Sequence, residues 1–356
     1  MKSALIAMSG GVDSSVAAFL MKSKGYDCVG VTMKLFDNDN IVIERERSCC
    51  SLSDVEDARS VCVRLGMPYY VLNFKEGFEE KVIKNFVETY ENGGTPNPCI
   101  DCNRYLKFDM LYKKAQTLGL HYIVTGHYAT VQYDENTGRY LLKKGKDITK
   151  DQSYVLFNLT QEQLSHTIFP LGEYEKVHIR EIAGENGFIN ANKKDSQDIC
   201  FVQDGNYADF IEKYRGKKYE HGEFVYKDGS VLGEHKGIIN YTVGQRKGLG
   251  ISHETPLYVI DKDIKNNRVI LGERADLLKT EVLAHDINMI AFESVEKPIH
   301  CCARTRYNMR EKPGMLYQID SDTIKFSFDE PQAAITPGQA LVVYDGNTVL
   351  CGGTIF

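Results

Sequence analysis

The sequence predicts an α/β protein: a doubly wound parallel-sheet domain, then a small β-rich central domain and a C-terminal β-barrel. Three observations predict it. Apolar, strand-like runs alternate with amphipathic helical stretches from the N-terminus to about Gly187. After about Cys200 the texture changes to short alternating runs, punctuated by the turn pairs Asp228-Gly229 and Asn266-Asn267. From about Thr280 nearly every segment reads as a short strand, closing with Asp345-Gly346 between two apolar runs. The expected boundaries are 1–195, 196–275 and 276–356, in keeping with two or three domains for 356 residues.

The elements follow in order. Residues 4–8 form an apolar run that reads as a buried strand. Gly10 and Gly11 let the chain turn, and Ser14 opens a helix with Val16, Phe19 and Leu20 on one face. Residues 27–36 read as a second strand, with Met33 near its end. Residues 53–65 read as a helix, started by a Ser53–Glu56 capping box, striped by Val55, Ala58, Cys62 and Leu65, and ended by Gly66. A strand over 68–74 comes next, then a helix marked by Phe78, Val82, Phe86 and Tyr90 and stopped by Gly93-Gly94. Residues 106–118 are helical, 122–126 form a strand, and a short helix lies near 207–214. Ligands of such sheets bind beyond the C-terminal strand ends. Ser9 to Asp13, Met33 and Gly126 are therefore expected to share one pocket.

Ala7-Met8-Ser9-Gly10-Gly11-Val12-Asp13-Ser14 is the most informative stretch. A glycine turn rich in hydroxyls leads into a helix N-terminus, where backbone N–H groups and the helix dipole hold an anion, most naturally a phosphate. It is not the Walker loop, because no Gly-Lys-Ser/Thr follows.

The net charge of −6 excludes indiscriminate nucleic-acid binding. Two local basic clusters leave RNA open: Arg139, Lys143, Lys144, Lys146 and Lys150, and Arg304, Arg306 and Arg310 beside Tyr307. No apolar run approaches a membrane span, and the first strand starts too early for a signal peptide. The ten cysteines lack small-scaffold spacing, which implies reduced thiols and a cytoplasmic location. Cys28, Cys62, Cys301, Cys302 and Cys351 read as core, and Cys49-Cys50 stays unassigned. Cys102 follows Asn97-Pro98-Cys99 near a helix start beside Arg104, where a thiol pKa falls. Cys200 ends a polar run from Lys193. Two such thiols suit sulfur chemistry, although a lone C-x-x-C also fits a redox pair or half a zinc site.

Ser-Gly-Gly-x-Asp-Ser resembles the PP-loop of the ATP pyrophosphatases. Along essentially the whole chain the ordered motifs resemble the tRNA-specific 2-thiouridylases, the MnmA family. They are the PP-loop, Thr95-Pro96-Asn97-Pro98 with Cys102-Asn103, Thr125 to Ala129, Lys150 to Tyr154, Asp195-Ser196 with Cys200-Phe201, Tyr241 to Gly250, Arg306-Tyr307 and Pro337-Gly338-Gln339.

The resemblance implies that Ala7, Met8, Ser9, Gly10, Gly11, Val12, Asp13, Ser14, Met33 and Gly126 bind ATP, with Mg2+, and that Asp13 orients metal and phosphate. It implies adenylation of O2 of the wobble uridine in a tRNA anticodon loop. Cys200 would carry a persulfide received from a cysteine desulfurase or sulfur-relay protein, and Cys102 would assist its release as nucleophile or through a transient disulfide. Asn97, Pro98 and Cys99 would face the target base. His127, Lys150, Asp151, Gln152, Arg306, Tyr307 and Gln339 would contact tRNA. Many members carry aspartate where this chain has Cys99, so Cys99, Cys102 and Cys200 could instead hold a [4Fe-4S] cluster. The rival reading is a PP-loop ligase or amidotransferase that activates a carboxylate and needs no paired thiols.

Overall fold

The computed structural model describes residues 2–36, 52–193, 199–202 and 205–356. Cys49, Cys50 and the Asp195-Ser196 motif lie outside the described residues. The N-terminal strands are β1 (Ser3–Ala7), β2 (Asp27–Lys34), β3 (Tyr69–Asn73) and β4 (Tyr122–Val124). After a hairpin, β5 (Ala129–Asp134) and β6 (Arg139–Lys144), comes β7 (Thr167–Ile168). The sheet runs β3-β2-β1-β4-β7, all parallel. Strand order reverses between β1 and β4, which opens the crevice where ligands of such folds sit.

Helices α1 (Val12–Ser23), α2 (Leu52–Arg64), α3 (75–91), α4 (98–117), α5 (Gln161–Ser165) and α6 (Lys176–Glu185) surround this sheet. Helix α1 buries Val16, Ala17, Leu20 and Met21 in a core with Ile6 and Val124. It begins two residues before the expected Ser14, because Gly11 caps it with extended backbone and no side-chain bond. Helix α2 already contains Leu52, so Ser53 lies inside the first turn and is not its cap. In α3 the i, i+4 series Phe78, Val82, Phe86 and Tyr90 is buried. Helix α4 starts well before the expected residue 106: Asn97 accepts a hydrogen bond from the Cys99 N–H and Pro98 occupies the first position. Both α3 and α4 contain π-helical stretches, Glu79–Ile83 and Cys102–Met110, a feature that recurs at functional sites.

The alternation to Gly187 holds only in part. After β4 the chain leaves the parallel sheet, and the β5–β6 hairpin joins the C-terminal domain through Lys143 and Thr348. Its partner strand lies about 200 residues away, so no local periodicity could reveal the pairing.

Beyond α7 (Tyr207–Arg215), ended by left-handed Gly216, the central unit holds β8 (Gly222–Tyr226), β9 (Val231–His235), β10 (Tyr258–Asp263) and β11 (Arg268–Gly272). They pair in the order β10-β11-β8-β9. The last unit holds β12 (Leu278–Met289), β13 (Ile299–Arg304), β14 (Lys312–Gln318), β15 (Ile324–Ala333), β16 (Ala340–Asp345) and β17 (Thr348–Ile355). Their order β12-β15-β14-β13-β16-β17 closes through β12 and β17 into a six-strand barrel.

Cys28, Cys62, Cys301 and Cys351 are buried as expected, whereas Cys302 is only half-buried. Burial pushes the Cys28 thiol up to about 11 and those of Cys62 and Cys301 up to about 12, so these sulfurs stay protonated and inert. Among the described residues no helix is long and apolar enough to cross a membrane.

Candidate active site

The glycine loop springs from the C-terminal end of β1. Its base is pinned to β2, where the Met8 N–H donates to the Val31 carbonyl at 2.8 Å and the Thr32 hydroxyl donates to the Met8 carbonyl at 2.7 Å. The Ser14 hydroxyl accepts from the Ser9 N–H and hydroxyl, both at 3.2 Å, and donates to the Gly11 carbonyl at 3.0 Å. The Asn190 amide donates to the Gly10 carbonyl and the Ser15 hydroxyl, each at 2.9 Å. The first helical bond of α1 runs from the Ser15 N–H to Gly11, which leaves the N–H groups of the first turn without intrahelical partners.

Gly10 has φ +73°, and a Cβ there would lie 2.4 Å from the Asp54 carbonyl oxygen. A Cβ on Gly126, just past β4, would lie 2.9 Å from the Ser14 nitrogen. Met33 occupies the end of β2. The sheet thus brings the loop, Met33 and Gly126 to one edge at the strand-order reversal. Gly10→Ala is expected to lower the thermal midpoint and weaken nucleotide affinity at least tenfold, because a left-handed side chain costs about 1–2 kcal/mol before the clash with α2 is counted. Thermal melts with and without ATP check this.

Charge is concentrated around the loop. The Lys176 ammonium lies 2.7 Å from both carboxylate oxygens of Asp13, and the Tyr128 hydroxyl donates to one of them at 2.7 Å. Lys193 reaches Asp54 at 2.6 Å, Asp57 at 2.7 Å and the Gly10 carbonyl at 3.3 Å. Burial pulls the Lys193 pKa down, but the two carboxylates outweigh it and hold the amine above its ordinary value.

The cysteines sit on a different core. Cys99 is the second residue of α4 and exposed; Cys102 is one turn further along and half-buried. The helix start therefore favours Cys99 rather than Cys102. Arg104, expected beside the thiols, also forks its guanidinium onto Asp286 of the barrel through both terminal nitrogens. The buried Asn103 amide donates to the Val155 carbonyl at 2.9 Å and fixes this turn of α4. Cys200 is also half-buried. Its neighbour Phe201 packs edge-on against Phe78 at 5.6 Å and Phe86 at 5.2 Å. Cys102 and Cys200 both border the core that contains these rings and Leu106. Among the described residues no three His, Cys, Asp or Glu side chains form a group able to hold a metal.

Several of the remaining predicted residues join the domains. The Gln339 amide donates to the Thr95 carbonyl at 2.7 Å, and the Tyr307 hydroxyl donates to the Asp151 carbonyl at 3.2 Å. Asp151 is buried beside Arg304 at 3.6 Å and accepts from the Ser153 hydroxyl at 2.9 Å. Gln152 accepts from the Tyr128 N–H at 3.1 Å. Arg306 donates to the Val243 carbonyl and the Thr336 hydroxyl, while its buried Nε has no partner among the described residues. His127 is 7% exposed, among Phe108 and Phe169, and burial drives its pKa well below the ordinary value, so the ring is neutral. The two basic clusters, expected as separate faces, meet at Glu311, which pairs with Lys144 at 2.7 Å and Arg304 at 2.8 Å. Arg139 is spent on the Met289 and Ile290 carbonyls, both at 2.9 Å.

Three family models match in sequence: a tRNA methyl transferase HUP domain over 2–204, a tRNA methyl transferase PRC-barrel domain over 208–273, and an aminomethyltransferase β-barrel domain over 279–355. The tRNA-specific 2-thiouridylase MnmA of Clostridioides difficile is 54% identical over 354 residues, covering 99% of this chain and 98% of that protein. The chain belongs to the MnmA family. Its Clostridium acetobutylicum member is 49% identical over 99% of both chains. A 4-thiouridine synthetase–RNA complex with bound ATP aligns at a TM-score of 0.38 and 21% identity, over 56% of this chain and 44% of that one.

Within this MnmA-family chain, four residues around the loop were not read from the sequence as site residues: Lys176, Tyr128, Asn190 and Lys193. Only Tyr128 and Lys193 fell inside stretches the sequence singled out. Lys176 and Asn190 lie in and after an ordinary amphipathic helix, and only folding brings them to Asp13 and Gly10. Asp286, at φ +52° in an irregular stretch of β12, gave no signal either.

Proposed function

We propose that this chain is an ATP-dependent tRNA-uridine 2-sulfurtransferase that converts the wobble uridine of an anticodon loop to 2-thiouridine in the cytoplasm. The observation that carries this reading is the full-length match to 2-thiouridylases by a chain whose glycine loop opens at the switch point of a parallel sheet. The units 1–195, 196–275 and 276–356 divide the work. The first activates the uridine, and the others help to frame the RNA.

ATP lies on Ala7 to Ser14, with Met33 and Gly126 beside it. The uridine O2 attacks the α-phosphorus, and pyrophosphate leaves with the electrons of the broken P–O bond. Magnesium suits the hard Asp13 carboxylate together with phosphate oxygens, and when bound it supplies charge neutralisation. The terminal sulfur of a Cys200 persulfide, loaded by a cysteine desulfurase or relay protein, attacks C2 and AMP departs. The Cys102 thiolate then attacks Cys200 sulfur, leaving sulfur on the base and a Cys102–Cys200 disulfide, which a thiol reductant returns to two thiols. Asn97, Pro98 and Cys99 face the extruded base, whose unstacking is inexpensive in a loop.

Among the described residues Arg306 is held by the neutral acceptors Val243 and Thr336, which leaves its charge for a phosphate. Arg306→Ala is expected to weaken tRNA binding and lower the slope of log affinity against log salt by about one. An unchanged slope with a lower melting temperature would make Arg306 domain mortar alone. The function itself is tested by nucleoside mass spectrometry of tRNA from cells lacking the gene. Loss of 2-thiouridine, restored by the wild-type copy but not by Cys200→Ser, supports the reading; unchanged 2-thiouridine in the deletion contradicts it. A carboxylate-activating ligase would stay active in both Cys102→Ser and Cys200→Ser proteins.

A further inference from the structure

Adenylyl transfer expels pyrophosphate, yet the glycine loop carries no lysine of its own to meet that leaving group. The fold supplies one from far along the chain. Lys176 opens α6, and its backbone N–H is anchored on the Asp147 carboxylate at 3.1 Å. The side chain is 9% exposed and runs to Asp13, 163 residues away in sequence, where the ammonium bridges both carboxylate oxygens at 2.7 Å. It also lies 5.6 Å from the centre of the Tyr128 ring, whose hydroxyl shares one of those oxygens. Asp13 is the second residue of α1, beside the first-turn N–H groups that have no intrahelical partner. The ammonium is thus one carboxylate away from the anion seat. Taking both ions of such a pair from water offsets most of their attraction, so structural stability alone is a poor reason to put one there.

We propose that Lys176 is the phosphate-handling cation of this site: it neutralises Asp13 until ATP arrives, then turns to the pyrophosphate portion of the nucleotide. The proposal rests on reading the loop as an ATP site. Uridine O2 forms its bond to the α-phosphorus, the bond from that phosphorus to the bridging oxygen breaks, and the electron pair leaves on pyrophosphate. Lys176 stabilises the charge gained by that oxygen; no proton or electron is consumed. The fixed backbone of α6 and the flexible four-carbon stem allow the ammonium to change partners without moving the helix.

The test is calorimetric titration of ATP and AMP into wild type, Lys176→Met, Lys176→Arg and the double variant Asp13→Asn/Lys176→Met, with melting curves and tRNA-dependent AMP formation on the same samples. Lys176→Met should lose at least tenfold of the preference for ATP over AMP and about 100- to 1,000-fold in AMP formation. Lys176→Arg should recover much of the preference. The double variant should regain thermal stability, because no carboxylate is left unpaired, yet keep the lost preference. If either Met-containing protein keeps the wild-type ATP-to-AMP ratio, Lys176 is only a counter-ion for Asp13 and the proposal fails. Failure of the wild-type protein to bind ATP would instead strike the reading of the loop, and the proposal with it.

Discussion

Cys200→Ser protein is expected to release pyrophosphate on tRNA in its first turnover at a rate within about threefold of wild type, to hold the adenylated uridine, and to leave no detectable 2-thiouridine. A serine hydroxyl cannot store sulfur at the persulfide level, so sulfur delivery fails outright rather than slowing. Activation is spared because the Cys200 segment is held by apolar contacts that the substitution does not touch: Phe201 stays wedged against Phe78 and Phe86. Cys102→Ser should go one step further, expelling AMP once and then stalling with the base still joined to the Cys200 sulfur. A pyrophosphate-release assay and mass spectrometry of digested tRNA read both products from one reaction. Loss of both products in Cys200→Ser would tie Cys200 to activation and contradict the division of labour.

Asp13→Asn should reverse that pattern. AMP formation is expected to fall about 100- to 1,000-fold while tRNA affinity stays within twofold. The carboxylate gathers Lys176 and Tyr128 at the first turn of α1, and an amide removes the charge while preserving shape. None of the residues that join α4 to the barrel is among its partners as described, so the RNA-framing surface should persist. Filter binding of tRNA beside a pyrophosphate-release assay separates the two. Equal loss in both assays would make Asp13 a general structural residue.

The outcome of reading the sequence depended on how local each signal was. The glycine loop, the buried series in α3 and the turn pairs at Asp228-Gly229 and Asp345-Gly346 are encoded within a few residues, and they fold where periodicity and turn chemistry place them. The alternation expected to about Gly187 left out the β5–β6 hairpin, because the strand it joins is β17, across the length of the chain. The basic clusters looked like open faces because sequence displays charge but not its partner; Glu311 and Asp151 lie between them in the fold. Arg104 was read only as a neighbour of Cys102, but the barrel residue it also holds is 182 residues away. Lys176 was invisible for the same reason. Local chemistry thus located the loop and the thiols, while the electrostatics that tune the loop came only with tertiary structure.

The most direct measurement of the central claim is the ratio of AMP to 2-thiouridine formed by the purified chain with ATP, tRNA and a persulfide donor. One AMP per 2-thiouridine, with neither product when tRNA is omitted, is the predicted result. Sulfur insertion without AMP, or AMP formed equally fast without tRNA, would contradict the account.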